Sequence, residues 1–423
     1  MKWRNRVLAL LCLTAFAALG ILYFQHWVVQ KPFGIILFIG EGLTPGRLAA
    51  TRVYLGGADS PLAIDSLPHF ALLTNYSNDF ATPDQAAAAT AIATGNKVNN
   101  RTIAVDVKGK PLISIIELAR EHGRLTGIVT DAKLTDPTSA AFYSHPSDPT
   151  DGDSIALELA TGGKIDIAMG GGGAQFIPET NGGHRSDGRD LLLEMQHNGF
   201  DVVRTRAELE AIPTWRRPKL IALFSEEEIA FADQIEERSQ EPSLSDMVRR
   251  AIELLQYNRR GYLLVVDAGL MRKAAQDNNA ERTLNETGEL DRAVSVAQRY
   301  SGQRSTIIVC GDVGIGGLNL NGFPFRKDSG IALLGLNSAG EPWITWASGP
   351  KGARAYGAAK IESPPNVEQP MAEARNLEPA AFYAKPALNT VDDTVGFGAG
   401  PGTEALRGST DNTTIFKILR DEL

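Results

Sequence analysis

Short, largely apolar runs recur along the chain, and most of them are followed directly by glycine or an acidic residue. They lie at residues 34–39, 125–130, 165–169, 262–266 and 305–309. Runs of this length with little polar alternation are typical of strands buried on both faces of a parallel sheet. Amphipathic helical patterns separate them. The sequence therefore predicts an α/β fold with a doubly wound, mostly parallel sheet flanked by helices.

Acidic side chains stand at or shortly after the ends of these predicted strands. They are Glu41, Asp131, Asp136, Asp267 and Asp312. In doubly wound sheets, ligands bind beyond the carboxyl ends of the strands. The pattern therefore predicts a metal or phosphate site at this edge of the sheet.

The amino-terminal part combines basic residues with a long uncharged run. Three basic residues within the first six precede the 18 uncharged residues 7–24. This length meets the lower bound for a membrane-spanning helix, and the basic residues favour a cytoplasmic amino terminus. We predict a cytoplasmic stub and signal anchor at residues 1–30, which leaves residues 31–423 on the periplasmic side of the inner membrane. The alternative is export after cleavage of a signal peptide.

Composition and charge limit the domain organisation, the class of protein and the kind of partner. Residues 322–388 are rich in Gly, Pro and Ala and lack periodicity, which predicts a loop-rich insertion within the domain. Hydrophobic residues make up 43% and charged residues 22% of the chain, as in an ordinary globular protein. The net charge of -8, without a basic stripe, excludes a nucleic-acid partner. Two cysteines indicate no disulfide framework.

Eight segments around the strand ends follow one another in a fixed order. They are residues 35–43, 82–91, 129–142, 169–172, 263–276, 310–318, 389–393 and 411–416. In order and spacing they resemble the alkaline phosphatase family over nearly the whole chain from about residue 33. The resemblance implies the family's fold and a homodimer. In that family a serine alkoxide attacks phosphorus between two zinc ions, with an arginine clamp and a supporting magnesium site.

The same resemblance implies that the nucleophile has been lost. Gln85 stands at the position of the family's serine, and an amide has no hydroxyl to ionise. Pro149 stands where the family has its clamp arginine. A phosphoenzyme is therefore not expected to form on this chain.

The zinc positions are degenerate as well. At one site, Arg272, Gln276 and Asn389 replace the family's aspartate and two histidines. At the second site Asp312 remains, but Val313 replaces the neighbouring histidine. No histidine follows residue 197, so shifting the alignment cannot restore the imidazoles. A zinc pair is not expected.

The magnesium-type oxygen ligands survive. Glu41, Asp136, Thr138 and Asp267 occur in the family's order, and Asp312 completes the predicted metal set. Hard oxygen ligands suit one magnesium or calcium ion.

A metal-free interpretation is equally open. Arg272 or Lys273 would then lie in the former metal cavity and neutralise Asp312 and Glu41. Buried carboxylates without a cation would be unfavourable, so one of the two solutions is needed.

We predict a membrane-anchored alkaline phosphatase homologue without normal phosphomonoesterase activity. Its predicted partner is a phosphorylated small molecule or another envelope protein. One alternative is an active phosphatase that uses one hard metal ion and a water nucleophile. Another is a purely structural or interaction protein of the envelope.

Overall fold

The computed structural model describes residues 2–23, 33–238, 240–322, 327, 333–336, 340–352 and 378–423. Its first element is helix α1 (Lys2–Tyr23), which contains the predicted apolar run except for Phe24. Phe24 and the rest of the predicted anchor segment, up to residue 30, lie outside the described residues. Of the helices formed by the described residues, none is long and apolar enough to cross a membrane. The membrane anchor stays a prediction.

Fifteen strands are found among the described residues. They are β1 (Gly34–Gly40), β2 (His69–Thr74), β3 (Leu125–Lys133), β4 (Ile167–Gly171), β5 (Asp201–Val203), β6 (Leu220–Leu223), β7 (Tyr262–Ala268), β8 (Ser305–Gly311), β9 (Gly314–Ile315), β10 (Leu318–Leu320), β11 (Ile344–Gly349), β12 (Ala380–Tyr383), β13 (Asn389–Thr390), β14 (Thr394–Ala399) and β15 (Arg407–Asp411).

Most of the helices that follow α1 begin where a polar side chain caps the first turn. In α4 and α9, Ser114 and Ser243 each form a capping box with the acidic residue three positions on. Such caps contribute about 1 kcal/mol each. The helices are α2 (Pro45–Gly56), α3 (Gln85–Thr94), α4 (Ile115–Glu121), α5 (Pro137–Ala140), α6 (Gly152–Thr161), α7 (Leu191–His197), α8 (Arg206–Ala211), α9 (Leu244–Leu255), α10 (Leu270–Gln276), α11 (Ala280–Tyr300) and α12 (Thr414–Glu422).

The central sheet has ten strands in the order β15-β2-β14-β8-β1-β7-β3-β4-β6-β5. All neighbours run parallel except β14, which is antiparallel to both β2 and β8. The first strand lies in the interior of the sheet, and later strands add on both of its sides, so the sheet is doubly wound. The predicted fold class is confirmed.

Burial on both faces explains why the strands are almost continuously apolar. In β1, Ile35 and Leu37 belong to one buried core, whereas Ile36 and Phe38 belong to another. The first core also contains residues of α3, α4, α6, α7 and α12, and the second contains residues of α9, α10 and α11. Each fully buried side chain of this size contributes about 1.5–3 kcal/mol.

The predicted loop-rich insertion at residues 322–388 contains regular structure in its described part. Its strands β11 and β12 pair with each other in parallel, and β11 pairs with β10 in antiparallel orientation. Trp346 of β11 is 2% exposed and anchors this small sheet in a third apolar core. Residues 353–377 lie outside the described residues.

Candidate functional site

Four neighbouring strands bring the predicted acidic residues together. The strands β8, β1, β7 and β3 are adjacent, and Ile39 pairs in register with both Asp267 and Cys310. Glu41 and Asp312 each follow immediately after the paired glycines that end β1 and β8. Parallel strands end at the same edge of a sheet, so the carboxylates cluster there. The structure thus brings Glu41, Asp267 and Asp312 to one edge of the sheet, and their role as metal ligands stays a prediction.

A buried guanidinium lies within this carboxylate cluster. Arg272, in the first turn of α10, donates from Nε to Glu41 Oε2 and from Nη2 to Asp136 Oδ2, the latter at 2.7 Å. The exposed fractions of the three side chains are 12%, 0% and 15%. Burial opposes the charge on Arg272, but the carboxylates of Glu41 and Asp136 outweigh it and raise the pKa of the guanidinium. Arg272 therefore stays charged.

Sheet order explains which acids Arg272 contacts. The sequence predicted that Arg272 or Lys273 would neutralise Asp312 and Glu41, and the Glu41 contact is present. Its second hydrogen-bonded partner is Asp136, because α10 follows β7, which lies between β1 and β3, whereas Asp312 follows β8 beyond β1. Lys273 lies further out, where its Nζ pairs with Glu228 and stays 3.9 Å from Asp136 Oδ2.

Asp267 and Asp312 are held by uncharged donors. Asp267 Oδ2 accepts from Thr130 Oγ1 at 3.1 Å and from Ser139 Oγ at 2.9 Å. Asp312 Oδ1 accepts from the amide of Gly42 at 2.8 Å. Burial and the charge of Glu41 raise the pKa of Asp267 well above its usual range and that of Asp312 to about 7.

Several oxygen atoms in the cluster have no hydrogen-bond partner among the described residues. They are Glu41 Oε1, Asp131 Oδ2, Thr138 Oγ1, Asp267 Oδ1 and Asp312 Oδ2. Thr138 is fully buried. It lies in the short helix α5, and Asp136 is the residue that precedes this helix. Within the part of the chain that the structure describes, no three His, Cys, Asp or Glu side chains lie close enough together to hold a metal ion.

A second buried arginine was missed by the sequence interpretation. Arg47 in α2 is 1% exposed and donates from Nη1 to the carbonyl of Glu41 at 2.9 Å. Burial lowers the pKa of Arg47 to about 10, and the charge of Asp312 opposes this shift. Gly42 permits the approach, because its φ is +83° and an added Cβ would lie 2.5 Å from Arg47 Nη1. The feature of the sequence that could have identified Arg47 as buried is its helical spacing from Ala50 and Thr51, which are themselves buried.

At the predicted nucleophile position, two neutral amides pair. Gln85 is the first residue of α3, and its Nε2 donates to Asn389 Oδ1 at 3.1 Å. Asn389 Nδ2 in turn donates to the carbonyl of Pro83 at 2.9 Å. The structure therefore brings together the residues predicted to replace the serine nucleophile and a zinc-binding histidine. In these two hydrogen bonds, the amide nitrogen of Gln85 and both polar atoms of the Asn389 amide are already engaged.

The remaining degenerate positions are apolar or peripheral. Val313 is fully buried in the same apolar core as Ala88, Ala275 and Trp346. Gln276 ends α10, where its carbonyl accepts from the amide of Ala387 at 2.9 Å.

Pro149, at the predicted clamp position, lines a cavity of about 480 Å³. Lys133, Asp136 and His184 line the same cavity. Because Asp136 also bonds Arg272, this cavity adjoins the carboxylate cluster.

Comparison with known proteins decides the family. A sequence profile described as alkaline phosphatase matches residues 34–423, nearly all of the chain after the first helix. The chain belongs to the alkaline phosphatase family. The family predicted from the ordered strand-end segments is confirmed.

Individual alkaline phosphatases show the extent of the similarity. Alkaline phosphatase 4 of Bacillus subtilis (strain 168) is 27% identical and covers 91% of this chain and 88% of its own length. The tissue-nonspecific isozyme of Gallus gallus is 30% identical over 67% of this chain. The match spans 64% of that relative, less than two thirds of its length.

Solved alkaline phosphatase structures agree in fold. The Thermus thermophilus enzyme is 22% identical, with a TM-score of 0.73 over 93% of this chain and 92% of its own. The enzyme of the Antarctic bacterium TAB5 is 20% identical, with a TM-score of 0.71 over 93% of this chain and 98% of its own. A mutant of the TAB5 enzyme holds magnesium in a site called M3.

Proposed function

We propose that this chain is an alkaline phosphatase homologue that does not turn over phosphomonoesters, because a guanidinium holds the place of a metal ion. The observation that carries the proposal is the buried bridge from Arg272 to Glu41 and Asp136. An arginine with two carboxylate partners supplies a fixed positive charge without a Lewis-acid centre or an exchangeable ligand position.

The residues present do not fit a zinc pair. Zinc sites in proteins are built from imidazole, thiolate and carboxylate ligands. Val313 offers no donor, and Gln85 and Asn389 offer amides that bond each other. Among the described histidines, His69 Nδ1 lies 2.8 Å from Thr403 Oγ1 and His145 Nε2 lies 2.9 Å from the carbonyl of Leu112, so these two rings are engaged elsewhere.

The nucleophile position supports the same conclusion. A phosphoryl group is transferred to an ionised oxygen, which a nearby metal or base must stabilise. The amide of Gln85 cannot ionise to such an oxygen, and its nitrogen is committed to Asn389 at 3.1 Å. Water would have to take the role of nucleophile, without a zinc ion to activate it.

A second candidate is a hydrolase that uses one hard metal ion, and one observation favours it. Unpartnered buried oxygens of Glu41, Thr138 and Asp267 are the donor types that magnesium prefers. These residues, together with Asp136, would hold the ion, which would supply Lewis-acid stabilisation of a phosphoryl group. Arg272 occupies the other oxygen of Glu41 and one oxygen of Asp136, so this candidate requires the guanidinium to move.

Elemental analysis and a hydrolysis assay on the purified full-length chain separate the two candidates. We expect no stoichiometric metal, and p-nitrophenyl phosphate hydrolysis at the same background rate in the wild type and in Glu41→Ala. One equivalent of magnesium or calcium, with turnover that Glu41→Ala abolishes, would support the second candidate. Two equivalents of zinc would contradict both.

We further propose that the cavity beside Arg272 binds a phosphorylated small molecule without hydrolysing it. On its lining, Lys133, whose Nζ also pairs with Glu227, and the His184 imidazole carry the nitrogen atoms that could contact a phosphoryl oxygen. Calorimetric titration with p-nitrophenyl phosphate tests this, with Lys133→Met as the variant expected to bind more weakly. Unchanged affinity in Lys133→Met, or no binding at all, would favour an envelope protein as the partner.

A membrane location is proposed for the same protein. The support is helix α1, with its basic start and uncharged continuation, and a Bombyx mori relative described as a membrane-bound alkaline phosphatase, 29% identical over 76% of this chain. We expect the full-length chain to stay with the inner-membrane fraction after a carbonate wash. Release into the soluble periplasmic fraction would support cleavage of a signal peptide.

A further inference from the structure

A separate cavity of about 450 Å³ lies next to the end of β3. It is lined by Asp131 from that strand, by Glu286 and Glu289 from α11, and by the start of α9. The three carboxylates are 2%, 2% and 5% exposed. A volume of this size falls in the range of about 300–1,000 Å³ that is usual for small-molecule sites.

The charges around this cavity are unevenly compensated. Glu289 accepts from Arg292 Nε at 2.7 Å and from the amide of Ser245, at the positive end of α9, at 2.8 Å. Glu286 accepts from the amide of Ala232 at 2.6 Å, a donor that carries no charge. Glu289 is therefore neutralised locally, whereas Glu286 relies on uncharged donors.

Asp131 supplies the observation that points to a ligand. Its Oδ1 accepts from the amide of Leu270 at 3.0 Å, but its Oδ2 is buried and has no hydrogen-bond partner among the described residues. Burial and the charge of Asp131 raise the pKa of Glu286 well above its usual range. A buried acceptor left without a donor is costly, and Asp131 lines a cavity large enough to admit one.

The lining favours an organic cation over a metal ion. Ile229, Leu244 and Leu270 provide apolar walls opposite the carboxylates. Metal ions of the hard type need several oxygens within bonding distance of one point. Among the described residues no three acidic, imidazole or thiol side chains are grouped in that way. An acceptor without a partner also favours a group with N–H donors over a quaternary ammonium.

We propose that this cavity binds a primary ammonium ligand, whose charged head is held by Asp131 and Glu286 and whose short apolar body packs against Ile229, Leu244 and Leu270. Asp131 is shared with the carboxylate cluster of the phosphatase-like centre, where it adjoins Glu41, whereas Glu286 belongs to this cavity alone. Its acids come from β3 and α11, and its ligand is a cation instead of a phosphoryl anion.

Calorimetric titration of the full-length chain with hexylammonium tests the proposal, with hexanol as a neutral ligand of similar shape. We expect one hexylammonium per chain, bound at least about tenfold more tightly than hexanol, because a charge-assisted hydrogen bond to a buried carboxylate is stronger than one between neutral groups. Equal affinity for hexanol, or binding of magnesium or calcium in competition with hexylammonium, would overturn the proposal. So would the absence of hexylammonium binding.

Matched variants locate the site. The isosteric changes Asp131→Asn and Glu286→Gln should each weaken hexylammonium binding at least about tenfold. Glu281→Gln removes an acidic charge from the same helix outside the cavity, and we expect its affinity to stay within about twofold of the wild type. Unchanged binding in both cavity variants would overturn the proposal.

A steric variant covers the case in which the charge variants do not fold, as judged by circular dichroism. Ala232→Leu fills the cavity without removing a carboxylate, since Ala232 lines it. We expect this variant to lose hexylammonium binding while keeping the wild-type melting temperature to within a few degrees. Wild-type affinity in Ala232→Leu would place binding elsewhere and contradict the proposal.

Discussion

The two halves of the candidate site differ in how their buried polar groups are compensated. On the side of β1 and β3, the carboxylates remain and a guanidinium joins Glu41 to Asp136. On the other side, Val313 lies in an apolar core and Gln85 bonds Asn389. The first half carries charges that pair with each other, whereas the second half is neutral.

This comparison shows that the two solutions have different energetic consequences. Retained buried carboxylates make the first half depend on a cation, because an unpaired buried charge is strongly unfavourable. Apolar packing and an amide pair make the second half independent of any ion. We therefore expect mutations in the charged half to lower the free energy of unfolding strongly, and added cations to restore part of that loss. For mutations in the neutral half, we expect added metal ions to leave the free energy of unfolding unchanged.

The largest expected effect is that of Arg272→Met. The change leaves Glu41 and Asp136 without their guanidinium, so we expect a loss of about 3–5 kcal/mol in the free energy of unfolding. Urea unfolding measures the loss, and added magnesium should restore part of it. Arg420→Ala, which breaks an exposed ion pair with Asp421, is the control and should cost less than about 1 kcal/mol. A similarly small loss in Arg272→Met would mean that the guanidinium does not compensate the carboxylates.

Val313→His tests the neutral half. The larger polar ring enters a packed apolar core, and we expect a loss of about 2–4 kcal/mol that zinc does not restore. The control Val107→His changes a valine that is 67% exposed and should alter stability by less than about 0.5 kcal/mol. Recovery of Val313→His by zinc would show that the second metal site is intact apart from this residue.

The pH dependence of stability tests the raised pKa of one buried carboxyl, that of Asp312. Burial and Glu41 raise the pKa of Asp312 from 3.8 to about 7. A carboxyl with a raised pKa contributes stability that is complete below pH 3.8 and is lost as the pH rises through 7. Between pH 4 and 7, the unfolding free energy of the wild type should fall relative to Asp312→Asn by up to about 1.4 kcal/mol per pH unit. Asp421→Asn, at an exposed position, should show no such trend, and a flat difference for Asp312→Asn would contradict the raised pKa.

The smallest expected effect is that of Gln85→Ser. It restores the family's hydroxyl but removes one hydrogen bond to Asn389, so we expect a stability loss of about 0.5–1.5 kcal/mol. Hydrolysis of p-nitrophenyl phosphate should stay at background with or without zinc, as in Gln85→Ala, because Val313 and Asn389 still stand at the zinc positions. Zinc-dependent turnover in Gln85→Ser would show that only the nucleophile had been lost.

Much of the fold was predictable because it rests on local patterns. Continuous apolar runs identified the interior strands β1, β7 and β8, since strands buried on both faces need no polar alternation. The strands β11 and β12 were not predicted. Their segment was interpreted as a loop-rich insertion, and they are stabilised by pairing with each other and by the burial of Trp346, which are non-local contacts.

The candidate site was predictable in its residue types but not in its pairings. Glu41, Asp267 and Asp312 were identified because parallel strands end at one edge of the sheet. The role of Arg47 was missed, because a charged residue in the first turn of a helix is usually exposed.

The sequence by itself determined the family and the doubly wound sheet, because motif order and residue chemistry are local properties of the chain. It also predicts that other residues stand in place of the family's serine and zinc ligands. Only the tertiary structure decided which cation meets which carboxylate. That choice depends on strand order, which places α10 between β1 and β3 and so directs Arg272 to Glu41 and Asp136. The same packing left Asp131 with an unpartnered oxygen, which no pattern in the sequence reveals.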